Sequence, residues 1–151
     1  MLTLGLPDET ATADLARRLA AIARPGDVIA LRGELGAGKT SFARAFIRTL
    51  AGDDVEVPSP TFMLAQTYPP GIWHFDLYRL GTPEEAWEIG IEEAFAGGIA
   101  LIEWPDRLGP LLPARRLDIT LAFADAPTVR AALLNGDAAW QERLAELLSD
   151  A

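Results

Sequence analysis

The hydrophobic and polar positions in the first third of the chain predict strands and helices in alternation. Residues 1–6 alternate as a short strand does, and a helical pattern that Asp8 or Thr10 caps follows them. Residues 28–31 are continuously apolar, which is typical of a parallel strand covered on both faces. A second helical pattern occupies residues 39–52. The order strand, helix, strand, helix indicates an α/β protein.

The rest of the chain predicts more strands, separated by turn signals and helices. A Pro-Pro-Gly turn between two strand patterns predicts a hairpin, and a threonine followed by proline and two glutamates predicts the start of a helix. The predicted strands are 61–68, 72–78, 99–102, 117–123 and 129–134, and the predicted helices run from Thr82 toward Phe95 and onward from Asp137.

The composition predicts one cytoplasmic domain. The chain has 151 residues, half of them hydrophobic, which suits a single domain spanning residues 1–151. It has no cysteine and one histidine, so zinc sites of the usual kinds are not expected. No stretch resembles a signal peptide or a membrane span. The net charge of −9 disfavours direct binding to nucleic acid.

One glycine-rich motif, Gly-x-x-x-x-Gly-Lys-Thr, lies between a predicted strand and a predicted helix. In this context the backbone N–H groups of such a loop surround phosphates, and the lysine adds a positive charge. We expect Lys39 to contact the β- and γ-phosphates of ATP and the Thr40 hydroxyl to bind Mg²⁺. The motif therefore predicts a P-loop NTPase fold, with three layers and a central, mostly parallel sheet with additional antiparallel strands. The predicted phosphate-binding residues are Gly33, Glu34, Leu35, Gly36, Ala37, Gly38, Lys39, Thr40 and Ser41.

Two acids are candidates for holding magnesium or water near the phosphates. Glu103 ends a predicted buried strand, where a bound Mg²⁺ would compensate its charge; the alternative is a solvated acid at a strand end. Asp76 shares one face of its predicted strand with His74 and Tyr78. We expect Asp76 to orient the attacking water or to support the magnesium ligands, unless this face is simply solvated.

Two further positions have both a functional and a structural interpretation. Thr61 follows Ser59-Pro60 after the phosphate-loop helix, where many nucleotide hydrolases sense the γ-phosphate. The alternative is a proline-stiffened entry into a strand. Trp104 follows Glu103 and is expected to lie against the nucleotide or a partner, or to be a buried aromatic residue.

The choice of nucleotide and reaction also leaves alternatives. The only asparagine is Asn135 and the only lysine is in the loop, so the Asn-Lys-x-Asp element of guanine-specific enzymes is absent. A small-molecule kinase would need a lid rich in arginine, and the only such cluster is Arg107, Arg115 and Arg116. A third possibility is a binding module that nucleotide occupancy switches without turnover.

Four motifs together resemble the TsaE (YjeE) family of bacterial ATPases in threonylcarbamoyl-adenosine biosynthesis. The resemblance covers most of the chain. The motifs are Gly-Glu-Leu-Gly-Ala-Gly-Lys-Thr at 33–40, Ser-Pro-Thr-Phe at 59–62, His-Phe-Asp-Leu-Tyr-Arg at 74–79 and Ile-Glu-Trp-Pro at 102–105.

This resemblance implies a magnesium-dependent ATPase that works with two partner proteins, TsaB and TsaD, in modifying tRNA. Such a protein contacts tRNA only indirectly and supports repeated turnover of the partners. By matching position, Glu103 becomes the second magnesium ligand, Asp76 becomes essential for hydrolysis and Trp104 moves closer to the nucleotide.

The resemblance also implies contacts to the nucleotide base. Residues near the N-terminus, here around Glu9, are expected close to the base, together with an arginine near the last strands. Residues 127–129 are Pro-Thr-Val where that arginine is expected, so Arg130 is the substitute.

Overall fold

A computed structural model of the chain describes residues 2–34, 36–58, 64–124, 126 and 129–149. The strands are β1 (Leu2–Leu6), β2 (Val28–Arg32), β3 (Ala65–Tyr68), β4 (Ile72–Asp76), β5 (Ile99–Glu103), β6 (Leu117–Phe123) and β7 (Arg130–Gly136). The α-helices are α1 (Glu9–Ile22), α2 (Lys39–Ala51), α3 (Ile91–Gly97) and α4 (Ala138–Ser149). Two 3₁₀ segments cover Pro83–Ile89 and Pro105–Leu111.

All seven strands form one sheet in the order β1-β7-β6-β2-β5-β4-β3. The four adjacent strands β6, β2, β5 and β4 are parallel to one another. The strands β7 and β1 extend one side of this core with antiparallel pairing, and β3 pairs antiparallel with β4 on the other side. The predicted α/β architecture, with a mostly parallel central sheet and additional antiparallel strands, is confirmed.

The buried side chains form two clusters on opposite faces of the sheet. Ile99 and Leu101 of β5 pack in the cluster that contains α1, α2 and residues of α4. Ala100 and Ile102 pack in the other cluster, which contains α3 and residues of the 3₁₀ segments. Since successive strand residues face opposite sides, β5 is covered on both faces, as its apolar sequence predicts. The molecule therefore has three layers.

The helix predicted from Thr82 toward Phe95 is wrong, because two short helical segments divide at Gly90. Gly90 has a φ of 87°, and a Cβ there would approach the Trp73 ring to 2.6 Å. The Thr82 hydroxyl makes no capping hydrogen bond. The residues between β5 and β6 contain the 3₁₀ segment Pro105–Leu111.

The hairpin predicted in the middle of the chain is present, with shorter strands. β3 begins at Ala65, and β4 ends at Asp76 rather than at Tyr78. Residues 61–63 of the predicted first strand lie outside the described residues. Within the described ranges, every helix is too short or too polar to cross a membrane.

Candidate functional site

The residues predicted to form the site meet at the carboxyl ends of the parallel strands. Residues 33–38 connect β2 to α2, so that α2 begins at Lys39 just beyond the end of β2. Glu103 is the last residue of β5, and Asp76 is the last residue of β4. Because β2, β5 and β4 are adjacent and parallel, these ends lie side by side, which is the usual position of a ligand site in such a sheet.

The glycine loop begins in close contact with the backbone of β6. A Cβ at Gly33 would lie 2.4 Å from the carbonyl oxygen of Leu121, so any side chain there would displace the loop or the strand. Of the other loop residues, Glu34 and Gly36 are exposed, Ala37 is buried and Leu35 lies outside the described residues.

The two long helices on this face differ at their first turns. The Asp8 carboxylate caps α1 by accepting a hydrogen bond from the backbone N–H of Ala11 at 2.8 Å. The helix α2 follows Gly38, which has no side chain to cap it. Because the first N–H groups of a helix lack partners within the helix, they attract anions. The start of α2 is therefore suited to a phosphate group.

Lys39 is almost fully buried, with 5% of its surface exposed. Its Nζ donates a hydrogen bond to the Gly33 carbonyl at 2.7 Å and lies 3.5 Å from the centroid of the Trp104 ring. Burial lowers the pKa of Lys39, and the negative charges of Glu103 and Asp76 act in the opposite direction. The ammonium group thus lies between the loop and the two acids.

The Thr40 hydroxyl and the Glu103 carboxylate have a separation that suits magnesium. Thr40 Oγ1 lies 3.2 Å from Oε1 of Glu103 and 3.5 Å from Oε2. Two ligands at right angles, each about 2.1 Å from Mg²⁺, would be about 3.0 Å apart. No group of three or more His, Cys, Asp and Glu side chains in the described residues could hold a metal by itself. Phosphate and water would therefore have to complete the coordination, as is common for Mg²⁺.

Asp76 lies beside Glu103, because the two residues are partners in the parallel register of β4 and β5. Asp76 is 6% exposed, and its Oδ1 accepts a hydrogen bond from the backbone N–H of Tyr78 at 3.1 Å. The interpretation of this face as solvated is wrong for Asp76 and for His74, which are both buried. It holds only for Tyr78, which is half exposed and follows the end of the strand.

His74 is a site residue whose sequence position indicates only that it shares a strand face with Asp76. It is fully buried, and its Nε2 lies 2.7 Å from Oε2 of Glu103. The available signal was its place two residues before Asp76 on the same strand face. The pattern did not show that this face is buried or that Glu103 comes from the next strand.

A cavity of about 520 Å³ lies beside the glycine loop. It is lined by the start of α1, by residues 36–38, by Ser41 and by Arg130 of β7. The Ser41 hydroxyl donates a hydrogen bond to the Glu9 carboxylate at 3.1 Å, which links α2 to α1. The structure thus brings the predicted residues Glu9, Ser41 and Arg130 together beside the loop.

Trp104 turns the chain sharply after β5. Its φ of 58° is unusual for a residue with a side chain, and it precedes the 3₁₀ segment that begins at Pro105. The half-buried ring packs against Lys39 and against the ring of Tyr78, whose centroid is 5.0 Å away. Thr61 lies outside the described residues, so its role stays a prediction.

Comparisons with known proteins identify relatives over most of the chain. The family model of "Threonylcarbamoyl adenosine biosynthesis protein TsaE" matches residues 6–131. A tRNA threonylcarbamoyladenosine biosynthesis protein TsaE from Rickettsia bellii is 42% identical over 123 residues, covering 80% of this chain and 85% of the relative. The protein of the same name from Bacillus subtilis is 40% identical over 122 residues, covering 78% and 74% respectively.

A solved structure has the same overall fold. The crystal structure of Bacillus subtilis YdiB superimposes with a TM-score of 0.79 at 31% sequence identity, and the match covers 99% of this chain and 94% of that one. The family model, the two relatives and this structure agree with the resemblance that the four motifs predicted. The chain therefore belongs to the TsaE family, which is involved in the biosynthesis of threonylcarbamoyladenosine in tRNA.

Proposed function

We propose that the chain binds ATP with Mg²⁺ and hydrolyses it to ADP and phosphate on a P-loop NTPase fold. One observation carries this proposal: Lys39 and Thr40 at the start of α2 converge with the buried acid Glu103 at the end of the neighbouring strand. A glycine loop, a lysine, a hydroxyl and an acid from an adjacent parallel strand are the parts that P-loop nucleotide hydrolases use.

In this proposal the loop and the start of α2 bind the phosphates. The uncapped N–H groups of α2 face the phosphate oxygens, and Lys39 exchanges its contact with the Gly33 carbonyl for the negatively charged β- and γ-phosphates. The phosphate oxygens carry negative charge, which the Gly33 carbonyl does not, so the ammonium gains a Coulombic attraction to its new partner. The buried ammonium is therefore better compensated when ATP is bound.

Thr40 and Glu103 would hold the magnesium ion, since their oxygens have a suitable separation. The bound ion would neutralise charge on the phosphates during phosphoryl transfer. Asp76 orients the attacking water or supports the magnesium ligands from its position beside Glu103. These two roles for Asp76 are both compatible with its buried place at the end of β4.

The cavity beside the loop is the proposed site of the adenosine moiety. Its volume of about 520 Å³ lies within the usual range for small-molecule sites. Glu9 and Arg130 both line it, and the Arg130 guanidinium lies 4.4 Å from the centroid of the Phe123 ring. The absence of an Asn-Lys-x-Asp element favours ATP over GTP.

We further propose that this ATPase supports threonylcarbamoyl transfer to tRNA by acting on partner proteins of the TsaB and TsaD type in the cytoplasm. The pathway is that of the TsaE family. A net charge of −9 makes the chain poorly suited to bind the tRNA backbone, so the partners would supply most tRNA contacts.

A small-molecule kinase is the alternative enzyme, and the arginine cluster that it would need is not arranged as a free lid. Arg116 donates hydrogen bonds to Asp118 at 3.1 Å and to the Pro113 carbonyl at 2.7 Å. These contacts tie Arg116 to its own segment and to β6. Since a kinase lid must close over the phosphates, a fixed arginine in the cluster favours the ATPase.

Turnover measurements test the proposal directly. Phosphate release from ATP is measured with the chain alone and with partners of the TsaB and TsaD type, and tRNA modification is followed in parallel. We expect phosphate release without any small-molecule acceptor, and loss of multiple-turnover tRNA modification when the chain is omitted. ATP binding without release under both conditions would instead support the nucleotide-switched binding module.

The variant Glu103→Ala separates the chemistry from the fold. Loss of a magnesium ligand removes several kcal/mol of transition-state stabilisation, so we expect turnover to fall by about a hundredfold or more. The unfolding midpoints of the wild-type chain and of Glu103→Ala, both measured without nucleotide, check that the fold persists. Normal turnover in Glu103→Ala would remove this residue from the proposed site.

A further inference from the structure

His74 is a buried polar residue that contacts Glu103, although filling this position in the core does not require a polar side chain. The side chain is fully buried in β4, and Nε2 lies 2.7 Å from Oε2 of Glu103. A carboxylate that binds Mg²⁺, as proposed for Glu103, only accepts hydrogen bonds, so Nε2 would donate this one. Within the described residues, His74 Nδ1 has no hydrogen-bond partner. An apolar side chain would fill the same space without leaving a polar atom unpaired, which normally costs stability.

The two oxygens of the Glu103 carboxylate have different neighbours. Oε2 is bound by His74 and lies 3.5 Å from Thr40 Oγ1, whereas Oε1 lies closer to Thr40 Oγ1, at 3.2 Å. A strong hydrogen bond to one oxygen fixes the rotation of the whole carboxylate group. The bond from His74 therefore turns Oε1 toward the Thr40 hydroxyl.

The register of β4 and β5 places His74 beside the Glu103 carboxylate. Asp76 is paired with Glu103, and His74 is paired with Leu101, two residues earlier on β5. Side chains two residues apart on a strand share a face, so His74 reaches the carboxylate diagonally across two buried parallel strands. Both residues are buried and belong to adjacent, paired strands of the sheet.

We propose that His74 is a positioning residue for the magnesium site: it holds the Glu103 carboxylate in the rotation that presents Oε1 beside the Thr40 hydroxyl. This inference rests on the proposed function, because it assumes that Glu103 and Thr40 take Mg²⁺ with the nucleotide. Hydrogen-bond partners of metal ligands orient them and typically change metal affinity by 10- to 100-fold.

The test measures how much magnesium strengthens nucleotide binding, so it needs no turnover. The affinity for a non-hydrolysable ATP analogue is titrated in excess Mg²⁺ and again in EDTA, and the ratio of the two dissociation constants is the magnesium gain. We expect His74→Phe to lower the gain by about tenfold while the affinity in EDTA stays within about twofold. We expect His74→Gln to recover much of the gain, because its amide nitrogen takes the place of Nε2.

A matched control separates positioning from packing. Phe75 is fully buried in the same strand and packs on the opposite face of the sheet. Phe75→Leu should lower the unfolding midpoint and leave the magnesium gain unchanged. If His74→Phe does not fold, His74→Asn serves with His74→Gln, because the shorter asparagine cannot reach Glu103. Equal magnesium gains in these two variants would overturn the proposal.

Glu103→Ala distinguishes failure of this inference from failure of the proposed function. If Glu103→Ala removes the magnesium gain and His74→Phe leaves it intact, His74 has no positioning role. If Glu103→Ala itself keeps the gain, the magnesium assignment fails, and the proposed function fails with it.

Discussion

The two halves of the site are built in different ways. The proposed phosphate-binding half is a single continuous segment, residues 33–41, which comprises the loop after β2 and the first residues of α2. The acidic half consists of His74, Asp76 and Glu103. These residues come from β4 and β5, which are more than twenty residues apart in sequence and are brought together by their pairing in the sheet. The first half is encoded by local spacing, and the second depends on the order and register of the strands.

This difference determines how each half should respond to mutation. In the loop, the functional groups are backbone N–H groups and one charged side chain, so most side-chain changes should alter affinity in modest steps. In the acidic half, each side chain has its own buried position and partners. Changes there should lower turnover or the gain in affinity that Mg²⁺ provides, while the nucleotide affinity without Mg²⁺ stays in place.

Asp76→Asn should have the largest effect and tests this contrast most directly. Asparagine keeps an oxygen to accept the hydrogen bond from the Tyr78 N–H but lacks the negative charge. We expect turnover to fall by about 10²- to 10⁴-fold, the usual range for loss of a group that handles the attacking water. ATP affinity, measured by titration, should stay within about threefold.

A large loss of affinity in Asp76→Asn with preserved turnover per bound ATP would contradict the division of the site. Asp76 would then belong to the binding half. Thermal unfolding of the variant without nucleotide serves as the control for the fold.

Lys39→Ala is the corresponding change in the loop, and we expect it to act on binding. It removes charge-assisted phosphate contacts worth about 1.5–3 kcal/mol, so ATP affinity should fall roughly tenfold to a hundredfold. Burial of the ammonium group lowers the pKa of Lys39, so alanine also removes the cost of burying that charge. Thermal unfolding of the variant without nucleotide checks that the fold persists. Unchanged affinity in a titration would refute the phosphate-binding role.

The sequence predicted the local structure around the glycine loop almost completely. The strand, glycine loop and helix around Lys39 are where the pattern placed them, and Glu103 does end a buried strand. Asp76 and His74 show the limit of this reasoning. The alternation of β4 indicates which residues share a face, and only the packing of the sheet decides whether that face is buried.

Two other features depend on contacts distant in sequence. Arg130 lines the cavity beside the loop because β7 lies between β1 and β6, an order that no local pattern contains. The break at Gly90 depends on the Trp73 ring, which occupies the space beside that glycine. The predicted helix continued through Gly90 because its neighbours in sequence favour a helix.

Gly33→Ala should have a moderate effect and would show how the loop depends on β6. The added Cβ would meet the carbonyl oxygen of Leu121 at 2.4 Å, and a backbone atom cannot move aside as a side chain can. We expect a loss of about 1–3 kcal/mol of unfolding free energy, measured by denaturant titration. Gly71→Ala is the matched control, because Gly71 has a similar φ of 153° with nothing within 4 Å.

The two glycine variants should share the cost of the unfavourable φ, so their difference isolates the contact with β6. Equal losses of unfolding free energy would mean that the loop can move away from the strand without cost. In that case the Gly33 carbonyl would also not hold Lys39 in a fixed position.

Ser41→Ala should have the smallest effect, although Ser41 belongs to the loop half and borders the cavity. Its hydroxyl donates a hydrogen bond to Glu9 at an exposed position, where such a bond contributes about 0.5 kcal/mol to stability. Any phosphate contact from the backbone N–H of residue 41 would remain in the alanine variant. ATP affinity by titration should therefore change by less than about threefold. Glu9→Gln is the control, since glutamine still offers an oxygen to the hydroxyl. A tenfold loss in Ser41→Ala alone would show that this side chain contacts the nucleotide, and would break the rule that the loop binds mainly through its backbone and Lys39.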